Sequence, residues 1–69
     1  MKIVAEVAGK VWKIEAEVGA RLAADQTILI LESMKMEIPV AAPRAGRLSE
    51  LRVVEGDAVN EGDVIAVVD

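Results

Sequence analysis

Lys35 is the residue around which chemistry can be built. It lies in Glu32-Ser33-Met34-Lys35-Met36-Glu37, near the middle of a 69-residue chain. Apolar runs flank this stretch, Ile28-Leu29-Ile30-Leu31 before it and Ile38-Pro39-Val40 after it. Strand pattern therefore stops and restarts around a turn whose only basic group is that lysine, which reads as a display hairpin. Met34 and Met36 are large and apolar where a tight turn normally takes Gly, Asn or Asp. A two-residue turn forces positive φ on residues that resist it, so turn chemistry did not select these methionines. The ordinary reading of one lysine in a turn is a solvated surface charge, and the rest of the chain has to carry the case for more.

Composition removes most autonomous chemistry. The chain has no Cys and no His. That excludes a disulfide framework, thiol nucleophiles, Ser-His or Cys-His pairs and the usual zinc sites. Eight basic against twelve acidic residues leave a net charge of −4, and Trp12 is the sole aromatic. Nucleic acid would find neither an electrostatic footprint nor a stacking platform. No apolar run approaches the roughly 18 residues of a membrane span, so no membrane partner is expected. Met1-Lys2-Ile3-Val4 enters strand pattern directly, so no secretory signal is expected. A cytoplasmic setting is expected, a removed organelle leader leaving no trace in such a sequence. Residues 1–69 are expected to form one monomeric domain, close to the size limit for a core without disulfides or metals.

The elements that position Lys35 are strands. Val and Ile are abundant and turn signals recur about every eight residues, the rhythm of a small all-β sandwich or barrel. Strands are predicted near Lys2–Val7, Val11–Ala16, Arg21–Leu22, Thr27–Glu32, Met36–Ala41, Arg47–Val54, Ala58–Val59 and Val64–Val68. Arg47–Val53 has the three-residue spacing of a helical turn, but the internal repeat overrules it. At an offset of 37, Ala8–Glu32 falls on Ala45–Asp69 without a gap. Ala8/Ala45, Gly9/Gly46, Gly19/Gly56 and Ile28/Ile65 are identical, and Val11/Leu48, Leu22/Val59, Leu31/Val68 and Glu32/Asp69 keep their character. Two equivalent halves imply an internal pseudo-twofold and a closed two-sheet unit in which each half buries the other's apolar face. The segment equivalent to Met34-Lys35 would lie just past Asp69. The dyad then exchanges the lysine tip with the chain ends, placing the termini at one end and Lys35 at the other. Asp25 stands where the second half has Gly62, so a retained left-handed turn is expected there.

Glu32-Ser33-Met34-Lys35-Met36-Glu37 resembles the attachment motif of the biotinyl domains, in which a Met-Lys-Met triplet presents the modified lysine. The flanks are similar too: Ile38-Pro39-Val40-Ala41-Ala42-Pro43, then Ala45-Gly46, then Val54-Glu55-Gly56-Asp57-Ala58-Val59-Asn60-Glu61-Gly62-Asp63. The likeness covers essentially the whole chain, lacks the thumb loop of some carboxylase carrier subunits, and is nearest to short, free-standing biotin/lipoyl attachment proteins. Ser33 stands where the family more often has Ala. The resemblance implies the biotinyl/lipoyl hammerhead fold, a flattened β-barrel of two four-stranded antiparallel sheets.

It also implies a function. Lys35 would be biotinylated by a biotin protein ligase, and the tethered biotin would shuttle a carboxyl group between biotin carboxylase and carboxyltransferase sites. Met34 and Met36 would serve recognition, with Glu32, Ser33 and Glu37 as further ligase contacts. Acidic neighbours do not make a nucleophile of an ammonium, so activation is expected from the ligase and the chain is expected to be a carrier without catalysis of its own. A lipoyl-type acyl carrier is the nearest alternative. Lipoyl domains typically have Asp before the lysine and Ala or Val after it, so the methionines point to biotin, with lipoate as a possible second cofactor. An unmodified adaptor module is the third reading, and it has no need of a Met-flanked lysine. Trp12 is assigned to packing, and Asp57, Glu61 and Asp63 to a solvated acidic rim without a metal.

Overall fold

Glycine turns and alternating apolar residues give this chain eight strands, seen in a computed structural model that describes all 69 residues. They are β1 (Lys2–Val4), β2 (Gly9–Ile14), β3 (Arg21–Leu22), β4 (Thr27–Ser33), β5 (Met36–Ala41), β6 (Gly46–Leu51), β7 (Ala58–Val59) and β8 (Val64–Val68). One antiparallel sheet runs β1-β8-β6-β3 and the other β5-β4-β2-β7. The repeat converts one order into the other strand for strand, β2 onto β6, β3 onto β7, β4 onto β8, and β1 onto the end of β5. The flattened two-sheet barrel expected from the sequence is the observed fold.

The core obeys the same dyad. Six pairs of buried residues are related by it: Ala5/Ala42, Val11/Leu48, Leu22/Val59, Ile28/Ile65, Leu29/Ala66 and Leu31/Val68. The remaining two, Ile3 and Ala16, have mates in Val40 and Val53, which are partly buried against the cluster. Each large aliphatic side chain buried here contributes about 1.5–3 kcal/mol. No buried side-chain polar atom lacks a partner, so little of that gain is lost to desolvation.

Backbone hydrogen bonds repeat as well. Ala5 N–H donates to Asp63 O (2.9 Å) and Gly62 N–H to Ala5 O (2.8 Å); Ala42 N–H donates to Gln26 O (2.9 Å) and Asp25 N–H to Ala42 O (2.8 Å). Asp25 has φ 67° against 90° for Gly62, so the aspartate does hold the left-handed turn. Both halves also bulge at one place, between Val11 and Lys13 and between Leu48 and Glu50.

Four predicted strands end differently: β4 runs one residue further, to Ser33, where it pairs with Met36, and the other three differ because the chain must change sheets. β1 stops at Val4 instead of Val7, since Ala5–Ala8 cross from one sheet to the other. β6 spans Gly46–Leu51 instead of Arg47–Val54, for the equivalent reason. β2 begins at Gly9 and closes at Ile14, after which Glu15 and Ala16 N–H both converge on Ile28 O (2.8 and 3.1 Å).

Strand direction places the working end. The N-terminal amine donates to Val68 O (2.7 Å), and β1 then runs antiparallel to β8 until Ala8 reaches Ser33. β5 runs the other way from Met36, and the chain after it returns to Asp69, whose N–H donates to Arg47 O (2.8 Å). The termini therefore share one end of a 30 × 17 × 17 Å body and the β4–β5 tip occupies the other.

Candidate functional site

The β4–β5 hairpin is held in strict register up to its tip: Leu31 pairs with Ile38, Glu32 with Glu37, and Ser33 with Met36. Only Met34 and Lys35 remain for the turn. Their φ values are 52° and 65°, so both central residues occupy the left-handed region, as in a type I′ hairpin. Non-glycine residues there cost roughly 1–2 kcal/mol each, and neither Met nor Lys has the short polar side chain that offsets it. The two-residue turn and the strain expected from the sequence are both present.

Exposure follows from this geometry. Met34 is 92% and Met36 64% solvent-exposed, and Lys35 is exposed between them. The ion pairs of the molecule are Arg47–Asp69 (3.6 Å) and Arg52–Glu50 (3.0 Å), and Lys35 joins neither. Its amine is thus free and projects from a rigid stem. Glu32 and Glu37 face each other in register and are both exposed, a like-charge juxtaposition that costs a few tenths of a kcal/mol. Lys10 stands opposite Glu32 on the other side of β4.

Two supports beneath the tip were not legible in advance. The Ser33 hydroxyl donates to Ala8 O at 2.8 Å, tying the hairpin to the crossover between the sheets. Gly9 lies so close that a Cβ built on it would sit 2.7 Å from Glu32 O and 3.4 Å from Ser33 Cβ. The available signal for Gly9 was its identity with Gly46, which is pressed in the same way against the Asp69 carbonyl.

The other sequence assignments are redistributed. Trp12 is not part of the core. It is 48% exposed and borders a shallow groove with Lys10, Glu32 and Gly56, because it alternates outward from buried Val11; it is also the unpaired residue of the β2 bulge. Two of the three acidic residues assigned to the rim close turns: Asp57 Oδ2 accepts from Val54 N–H (3.0 Å) and Asp63 Oδ2 from Asn60 N–H (2.8 Å). Gln26 Oε1 does the same for Ala23 N–H (2.9 Å) at the position the dyad relates to Asp63.

A free amine on a rigid tip can be acylated without disturbing the fold, which is what covalent attachment of a carboxylic-acid cofactor requires. Comparison with known proteins bears on which one. The family model described as "Biotin-requiring enzyme" matches residues 1–68. The chain belongs to the biotin/lipoyl attachment family. It is 46% identical over 65 residues to the biotin/lipoyl attachment protein of Bacillus subtilis, covering 94% of this chain and 89% of that one. The biotinylated protein TB7.3 homolog of Mycobacterium leprae is 41% identical over 64 residues, covering 93% and 90%. Larger relatives contain the domain as a small part. The solved urea carboxylase of Kluyveromyces lactis superposes with a TM-score of 0.95 at 33% identity, over 100% of this chain and 6% of that one. This member of the attachment family is a biotin carrier domain, with the fold found within biotin-dependent carboxylases.

Proposed function

We propose that Lys35 is the residue that receives biotin, and that the modified chain serves as the carboxyl carrier between a biotin carboxylase and a carboxyltransferase. The observation that carries the proposal is the two-residue left-handed turn, which holds an unpaired lysine between two exposed methionines at the end farthest from the termini. A biotin protein ligase supplies an activated biotinyl carboxyl group and removes a proton from the ammonium. Lys35 Nζ then attacks the acyl carbon, an amide forms and the activating group leaves. Met34 and Met36 present thioethers to the ligase surface, while Glu32, Ser33 and Glu37 form the stem that it grips.

Once attached, biotin supplies the ring that takes up and releases a carboxyl group. The chain's own work is mechanical. The hairpin keeps the attachment point at a fixed place on a rigid body, so a flexible arm visits two partner sites at high effective concentration. In this reading the chain is a carrier, and the chemistry is done on it by the enzymes it visits.

Lipoate is the second reading, favoured by the name of the Bacillus subtilis relative, which covers both groups. The carrier role is tested by incubating the biotinylated chain with a purified biotin carboxylase, ATP and labelled bicarbonate. Label that enters the wild-type chain, and is absent from unbiotinylated chain, is expected. A biotinylated chain that stays unlabelled with every biotin carboxylase offered overturns the carboxyl-carrier role.

A further inference from the structure

Peroxide-sensitive chemistry in this protein is concentrated at one place. With no cysteine, its oxidisable side chains are three methionines and one tryptophan. Met1 and Trp12 are each 48% exposed, whereas Met36 is 64% and Met34 92% exposed. Thioether oxidation follows access to the sulfur, so Met34 and then Met36 are the preferred targets. Both flank Lys35 in sequence, and neither belongs to the hydrophobic core. A thioether at position 34 is also held at a cost, because φ 52° is a conformation that glycine or asparagine adopts more easily.

We propose that Met34 and Met36 form a paired oxidation site through which peroxide blocks cofactor attachment at Lys35; this rests on the attachment function proposed above. The sulfur lone pair attacks one peroxide oxygen, an S–O bond forms as the O–O bond breaks, and the displaced oxygen leaves as water after proton transfer. Sulfur loses two electrons and peroxide gains them. The product is a polar, chiral sulfoxide where an apolar, pliable thioether stood. Because the two side chains are exposed at the tip, the fold beneath is untouched while the surface offered to the ligase changes on both sides of the amine. Thiol-dependent methionine sulfoxide reductases reverse the reaction, which makes the site a switch.

The experiment uses the unmodified chain treated with hydrogen peroxide, peptide mass mapping, and a biotin ligase assay with biotin and ATP. Oxygen is expected at Met34 and Met36 before Met1 or Trp12, with an unchanged melting temperature. The rate of biotinylation is expected to fall about tenfold or more, the scale on which apolar pockets reject a changed group, and to return after reductase treatment. In the double variant Met34→Leu, Met36→Leu, the ratio of rates before and after peroxide is expected to stay at one, whatever its basal rate. Oxidation that begins at Met1 or Trp12, or a doubly oxidised chain modified at the full rate, overturns the proposal. Failure of the untreated chain to accept biotin would instead strike the attachment function itself.

Discussion

The hydroxyl of Ser33 lies 2.8 Å from the carbonyl oxygen of Ala8 and donates to it, joining the stem of the lysine hairpin to the crossover between the two sheets. Gly9, next along that crossover, packs against Glu32 and Ser33 too closely to carry a Cβ without displacement. The hairpin is therefore clamped from the side as well as through its own ladder.

Substituting Gly9→Ala should push the stem away from β2. A cost of about 1–3 kcal/mol is expected, the usual range for overpacking. Urea unfolding followed by far-UV circular dichroism reads the cost. A variant as stable as wild type would show that the stem gives way easily and is not clamped.

Met34→Gly and Asp25→Gly both relieve left-handed backbone, at φ 52° and 67°. Each should raise stability by up to about 1 kcal/mol. The two differ in function: Asp25→Gly leaves biotinylation unchanged, whereas Met34→Gly slows it. Equal rates for Met34→Gly and wild type would remove the methionine from recognition.

Exchanging both flanks, Met34→Asp with Met36→Ala, should shift the preference of Lys35 from a biotin ligase toward a lipoate ligase. The check is the ratio of the two initial rates. An unchanged ratio contradicts discrimination by the methionines.

Arg21 stands directly opposite Arg47 in the β3–β6 ladder, and only Arg47 has a carboxylate partner, Asp69 at 3.6 Å. Like charges in this position oppose folding, and the equivalent of Arg21 in the other half is Ala58. Arg21→Thr should therefore be neutral or stabilising by about 0.5 kcal/mol at low salt, with the difference fading as salt rises. A loss above about 1 kcal/mol would mean that the Arg21 stem is packed.

Much of this was legible because the sequence carries its own internal comparison. The offset that aligns Gly9 with Gly46 and Ile28 with Ile65 also predicts the closed two-sheet unit, the placement of the termini and the turn at Asp25. The strand ends at Val4 and Leu51 were hidden, since a run such as Ala5-Glu6-Val7 keeps strand composition while its backbone crosses between sheets. Trp12 misled because its strand position next to buried Val11, not its hydrophobicity, decides which way it faces. The Ser33–Ala8 bond joins residues far apart in the chain, and no local pattern announces it.

The central claim is that Lys35 accepts biotin. The most direct test is the intact mass of the wild-type chain and of Lys35→Arg, each incubated with biotin ligase, biotin and ATP. The wild-type chain should gain the mass of one biotinyl group. Lys35→Arg should gain nothing while losing no more than about 0.5 kcal/mol of stability, as expected for an exposed site. A biotinyl group on the arginine variant, or a wild-type mass that does not change, would contradict the account.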